Sequence, residues 1–201
     1  MLSSITPLGE RGRASRWPVT VTAHLLGSAA GGTAAGLVLG TLGLLLPGGS
    51  AAATAAAAAV VALALWALAV ETGRLPAPPT WHRQVDEDWL HRYRGWVYGA
   101  GYGVQLGLGV VTIVTSPVLY VAFALVALTG DPARGAALGL LFGLARALPV
   151  LAARRVTTPA RLVGAHRALE RLAPTGRAVT ALACAATAAA GGLLLVAGAT
   201  G

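Results

Sequence analysis

Apolar residues in this chain come in long uninterrupted blocks, and polar residues are confined to short segments between them. The first block runs from about 19 to 46 and stops at Pro47-Gly48-Gly49-Ser50; the second runs from about 51 to 70. A turn of four small residues between them predicts a tight helical hairpin. The third block, 96–129, would be roughly 50 Å long as a straight helix at the usual rise per residue. That exceeds one ordinary span of a hydrocarbon core of about 30 Å and falls short of two. Ser116-Pro117 lies within this block. Proline lacks the backbone donor and crowds the preceding turn, so the pattern predicts one tilted helix broken at Ser116-Pro117, with two half-spans as the alternative. A fourth span is expected at about 134–153 and a fifth at about 178–199. The fold class is therefore all-α: a single polytopic membrane bundle of about five transmembrane helices.

Composition agrees with the pattern. Mean hydropathy is +0.70 and only 11% of residues are charged, against about 25% in an average soluble domain. All fifteen basic residues are arginine. They gather in the connecting segments, which is where the positive-inside rule places them, so the net charge of +8 points to a bilayer and not to nucleic acid. Thirteen of the fifteen, all but Arg134 and Arg146, fall on one side if the spans alternate. This predicts a cytoplasmic N-terminus and, with five spans, an extracytoplasmic C-terminus. Met1 to Pro18 has no apolar stretch, which predicts no cleavable signal peptide.

Two connecting segments carry helical spacing. In the segment 86–95, Trp89 and Tyr93 recur on one face and Trp96 continues it, as expected of aromatic residues at the headgroup level. In 158–172, Thr158-Pro159 offers a capping hydroxyl and a first-turn proline. Leu162, Ala165, Leu169 and Leu172 then oppose Arg161, Arg167 and Arg171. Both segments are expected to be interfacial helices. Glycine recurs every fourth residue in Gly32/Gly36/Gly40, Gly95/Gly99/Gly103/Gly107 and Gly135/Gly139/Gly143. Such stripes let helix backbones approach closely. Gly99, Gly103, Gly107, Gly139, Gly143 and Pro149 are taken as packing positions.

A break at mid-membrane frees backbone carbonyls that must be satisfied by protein or a water-lined cavity, and membrane carriers use such breaks as ligand sites. Thr112, Thr115, Ser116 and Pro117 are therefore candidate substrate-binding residues. Arg146 joins them as the clear charge inside a span, and Gln105 as a polar neighbour. Pro149 lies just beyond Arg146. His82/Asp86 and Glu87/His91 each stand four apart, a spacing that can bind a divalent metal, but three carboxylates among arginines read as a solvated loop. No metal and no other cofactor is expected. Cys184 is the only cysteine, so no disulfide or paired-thiol chemistry is available within the chain. No catalytic triad, phosphate loop or metalloprotease motif is present, and an enzyme is not the favoured reading.

The stretch Gly103 to Pro149 resembles the second half of the membrane thiol–disulfide carriers of cytochrome c biogenesis, CcdA and the membrane domain of DsbD, which belong to a wider transporter-like superfamily. The likeness rests on a glycine-rich helix, a Ser/Thr-Pro break, a small-residue turn and the run Phe142-Gly143-Leu144-Ala145-Arg146-Ala147-Leu148-Pro149. Pro117 matches the proline of that family's proline-cysteine pair, whereas Val118 stands where the cysteine would be. The family's first span, with its other proline-cysteine pair, has no counterpart here, and Ser4 to Glu10 is similar to the linker that follows it. The resemblance thus implies the scaffold without the two-thiol relay. The leading functional expectation is a carrier or gate for a small solute at the broken helix. The alternative is a membrane anchor or assembly subunit of an enzyme complex, with a membrane or periplasmic protein as partner alongside the lipid bilayer.

Overall fold

In the computed structural model, residues 5–13, 15–76, 92–109 and 116–200 are described. Among these the chain is all-helical. Eight α-helices follow in order: α1 (Pro7–Gly12), α2 (Trp17–Gly43), α3 (Ser50–Glu71), α4 (Gly95–Leu108), α5 (Val118–Ala127), α6 (Pro132–Ala147), α7 (Pro149–Ala152) and α8 (Pro159–Thr200). A 3-10 turn, Ala153–Arg155, follows α7. Among the described residues, four stretches are long and apolar enough to cross a membrane: Trp17–Gly43, Ser50–Glu71, Pro132–Arg155 and Pro159–Ala197. The chain is a multi-pass helical membrane bundle.

The third apolar block contains two described helices, and residues 110–115 between them lie outside the described residues. Helix α4 stops at Leu108, Gly109 takes a φ of +80°, and α5 begins only after Ser116-Pro117. A left-handed φ favours glycine because a Cβ would meet the following carbonyl. Gly109 therefore ends α4, and Pro117 precedes the start of α5. Helices of 14 and 10 residues reach only about 21 and 15 Å, each short of a span.

Glycine spacing explains which helices pair. On one side of α2, a Cβ at Gly27 would lie 2.3 Å from the Ala100 carbonyl oxygen, and one at Gly31 would lie 2.4 Å from that of Val104. Reciprocally, Gly99, Gly103 and Gly107 of α4 face the backbone of Thr20, His24 and Ser28. Numbers rise together, so α2 and α4 run parallel. On the other side, Gly32 and Gly36 meet Gly139, Gly143 and Gly135, and Gly40 meets Asp131; there numbers rise against each other, so α6 is antiparallel to α2. Ser28, fully buried, donates from Oγ to the Gly143 carbonyl at 2.8 Å, which satisfies a hydroxyl that lipid could not.

Helices α3 and α8 form a second antiparallel pair. It meets α5 through a buried cluster of Ala64, Ala67, Val121, Cys184 and Ala188. Large apolar side chains point outward, among them Leu26, Leu45, Leu182, Leu193 and Leu194, each more than half exposed, as lipid-facing residues should be. The two segments expected as a separate interfacial helix, 158–172, and a last span, 178–199, are one continuous helix of 42 residues that passes through Pro174. Its start is built as expected: Thr158 Oγ1 accepts from the Arg161 N–H at 3.4 Å, and Pro159 opens the first turn. The apolar stripe Leu162, Ala165, Leu169 and Leu172 faces Pro149, Ala152 and Val156 across a cavity of about 230 Å³. That neighbouring surface lets the helix run on without a break. The segment 86–95 lies mostly outside the described residues, as do both His/carboxylate pairs.

Candidate functional site

Ionic chemistry gathers at the arginine-rich end of the bundle, where α2 and α4 start and α6–α7 finish. Thr6 caps α1, its Oγ1 accepting from the Gly9 N–H at 3.1 Å, and Pro7 fixes the first turn. The Leu8 N–H donates to the Val156 carbonyl at 3.2 Å, tying α1 to the segment after the 3-10 turn. Glu10 is thereby carried into the interior, 1% exposed. Its Oε1 accepts from Arg13 Nη2 at 2.9 Å and from the Tyr98 hydroxyl, and its Oε2 accepts from Thr20 Oγ1 at 2.8 Å. The Arg13 guanidinium also lies 5.6 Å from the Tyr98 ring centre. Burial works against the Arg13 charge, but hydrogen bonding with Glu10 and Tyr98 and their electrostatics outweigh it, and its pKa is raised above the ordinary arginine value. The Glu10 carboxylate is thus fully hydrogen-bonded by its neighbours, the condition under which a buried ion pair is tolerated.

This cluster was not among the residues singled out by spacing. Two signals could have found it. Glu10 is the only carboxylate before Glu71 and sits among three arginines. Thr20, His24 and Ser28 form a polar line at every fourth residue along the start of an apolar helix, and all three are buried against α4.

The expected substrate site divides into two neighbourhoods. Thr112 and Thr115 lie outside the described residues. Ser116 donates to the Glu71 carboxylate at the end of α3 and accepts from the Val118 N–H at 3.3 Å. Pro117 is fully buried beside it. These residues join the break to α3. Arg146 belongs elsewhere. Its guanidinium lies 5.4 Å from the Phe142 ring centre, which in turn sits edge-on to Phe123 at 5.9 Å. A Cβ at Gly109 would come 3.5 Å from Arg146 Nη1. The cation thus stands at the C-terminal end of α4, where the helix dipole is negative and the last carbonyls lack helical partners. Gln105 is half-buried; the α4 residue that shares a cavity with Arg146 is Leu106.

The expected packing residues Gly99, Gly103 and Gly107 lie against α2, as do Gly139 and Gly143. Pro149 starts α7 and lines the cavity beside Arg146. Cys184 is fully buried among small residues, and among the described residues no group of three metal-ligating side chains occurs.

The fold and this site define a multi-pass helical membrane protein with a polar, ion-paired end and a helix interrupted between α4 and α5. The chain is similar to the methylamine utilization protein MauF of Paracoccus versutus, 36% identical over 152 residues, which cover 74% of this chain and 55% of that protein. It is likewise similar to MauF of Paracoccus denitrificans, 35% over 153 residues and the same shares, and to MauF of Methylophilus methylotrophus, 34% over 155 residues, 74% of this chain and 53% of that one. The chain spans little more than half the length of these relatives. No family model matches, and no solved structure matches.

These relatives correct the resemblance to CcdA and DsbD: the similarity runs to MauF proteins and gives no support to a thiol–disulfide carrier of cytochrome c biogenesis. The features that carried the earlier likeness are general ones. Glycine stripes, a proline break and a small-residue turn meet the packing needs of many membrane bundles, so they define an architecture and not a lineage.

Proposed function

We propose that this chain serves methylamine utilization from within the membrane, as an anchor or assembly subunit of an enzyme complex. The observation that carries this reading is the similarity to MauF proteins over 74% of the chain. Geometry supports it over carriage of a solute. The α2–α4 and α2–α6 contacts are backbone against backbone, which suits static packing. The α3–α8 pair leaves an apolar crevice of about 1050 Å³, shared with α5 and the end of α2 and lined by Ala53, Ala56, Val60, Leu125, Ala190 and Leu194. Small, weakly apolar surfaces of this kind suit contact with another membrane helix.

The test is affinity purification of the tagged chain, in mild detergent, from its host grown on methylamine. Subunits of a methylamine-utilising enzyme are expected in fixed stoichiometry. A chain that purifies alone from those cells overturns the proposal.

The charge pattern supports a cytoplasmic N-terminus for the bundle. Arg11, Arg13 and Arg16 precede α2, Arg74 follows α3, Arg92 and Arg94 precede α4, and Arg154 and Arg155 end the α6–α7 stretch. Antiparallel packing puts all of them at one end, whereas Arg134 pairs with Asp131 at 3.2 Å at the other. An alkaline phosphatase fusion after residue 76 is expected to be inactive and one after residue 48 active. The reverse pattern overturns this orientation.

A further inference from the structure

Helix α8 is longer than a bilayer requires. Its 42 residues reach about 63 Å, whereas about 20 residues cross a hydrocarbon core. Its later part is the paired part: Cys184 and Ala188 pack with Ala64 and Ala67 of α3, and a Cβ at Gly191 would meet Val61. Continuing that antiparallel register puts Glu71, the last residue of α3, about level with Thr180. The turns of α8 before Thr180 therefore run past the end of α3, at the arginine-rich end of the bundle. From Pro159 to Val179 every residue is exposed except Leu162 and Ala165, which turn toward the α7 corner. This length carries Arg161, Arg167, Arg171 and Arg177 against one carboxylate, Glu170.

Arg161 is engaged, its Nη1 donating to the Arg155 carbonyl and to Thr157 Oγ1, each at 3.2 Å. Arg167 and Arg171 are exposed, and among the described residues neither forms an ion pair, with Glu170 or with any other carboxylate. They stand four apart, so both guanidiniums leave the helix on one face. With Gly164, Ala168 and Leu172 they line a surface hollow of about 460 Å³. Gly164 keeps it open, with nothing within 4 Å of its Cβ position. Ala168 and Leu172 also line the apolar cavity against α7, so a cationic hollow and an apolar one share a wall. Two exposed guanidiniums suit an oxyanion such as a phosphate diester, and the shared wall would cover the first methylenes beside it. An acidic protein surface would match the charge alone. Position favours the lipid as well: the hollow lies on the run of helix just outside a membrane span, where headgroups are, and arginine clusters at that level attract anionic lipid.

We propose that Arg167 and Arg171 bind the headgroup phosphate of an anionic phospholipid in the leaflet at the arginine-rich end. The full chain, purified in a neutral detergent, is titrated with dioleoyl phosphatidylglycerol, with dioleoyl phosphatidylcholine and with polyglutamate, and occupancy is read by native mass spectrometry. The two lipids share their chains and differ in net headgroup charge. Phosphatidylglycerol is expected to bind about 30-fold tighter, since each of two arginines beside anionic headgroups supplies about fivefold. Arg167→Gln/Arg171→Gln is expected to erase most of that preference. Arg74→Gln/Arg92→Gln removes the same charge from the same end and is expected to keep the preference within about twofold, being outside the hollow. Gly164→Glu keeps both arginines, favours the helix and sets a carboxylate in the hollow; it is expected to weaken phosphatidylglycerol by about fivefold or more. Equal binding of the two lipids, as large a loss in the Arg74/Arg92 variant as in the Arg167/Arg171 one, or unchanged binding in Gly164→Glu would each overturn the proposal. So would polyglutamate binding that depends on Arg167 and Arg171 while neither lipid is preferred, a result that assigns this surface to an acidic protein.

Discussion

Gly36→Leu is expected to abolish the folded bundle, while Gly192→Leu leaves it intact. A Cβ at Gly36 would sit 2.0 Å from the Gly135 carbonyl oxygen and 2.9 Å from the Gly139 Cα. Neither is a side chain that can turn aside; both are backbone of a facing helix. Relief therefore requires α2 and α6 to separate, and Gly32 and Gly139 one turn away share the same contact at 2.0 Å. Overpacking of a close-packed interior costs about 1–3 kcal/mol and sometimes more. Here a rigid obstacle meets the seam that also holds the Ser28–Gly143 hydrogen bond, so the upper end, about 3 kcal/mol or more, is expected. Gly192 lies in α8 with nothing within 4 Å of its Cβ position, so leucine there adds only lipid-facing surface. Fluorescence-detected size exclusion of tagged variants reads both outcomes: a collapsed monodisperse peak for Gly36→Leu and a wild-type melting temperature for Gly192→Leu. A wild-type melt for Gly36→Leu would mean that the two backbones do not approach as described.

Much of this architecture is legible in the chain because membrane packing leaves a coarse signature. Four-residue glycine spacing marks helix-pairing faces regardless of partner, and Pro117 marks a helix start in any setting. What the spacing does not carry is the partner. Gly36 faces Gly135 and Gly139, and Gly103 faces His24, and nothing in the periodicity chooses between these pairings. The last helix was similarly open: Pro174 and six intervening arginines between about 153 and 178 suggest two elements, yet proline within a long helix is tolerated where neighbouring structure supports the turns on either side. The candidate site was less legible than the fold. Arg146 stands out because it is a charge in a span, but its neighbours are set by where α4 stops, and that is decided by the conformation of Gly109. Glu10 was hidden for the opposite reason. It lies in a polar segment where a carboxylate among arginines looks solvated, and only the docking of a six-residue helix reveals that it is buried.

That docking yields the second large effect. Glu10→Ala is expected to destabilise the bundle by about 3 kcal/mol, the lower end of the range for removing one partner of a buried ion pair. The lower end applies because the Arg13 side chain keeps 19% of its surface in contact with the surroundings and so regains some solvation. Loss of the carboxylate strands three groups at once: the Arg13 guanidinium, the Thr20 hydroxyl and the Tyr98 hydroxyl. Tyr98→Phe removes one donor and leaves the ion pair, so about 1.5 kcal/mol is expected, the low end for a hydrogen bond to a charged group. Because the residues share one network, the double variant is expected to lose less than the sum of the two single losses. Thermal unfolding in detergent, at fixed pH and salt, gives all four corners of that cycle. Additive losses would show that Tyr98 and Glu10 act independently, and an unperturbed Glu10→Ala would remove the cluster from any part in stability. The expected loss has a structural consequence beyond its size. Helix α1 is held to α2 through Thr20, to α4 through Tyr98 and to the segment after α7 through the Leu8–Val156 hydrogen bond. Two of those three ties run through one carboxylate. Without it, only the Leu8–Val156 hydrogen bond of these three still holds α1 to the arginine-rich end.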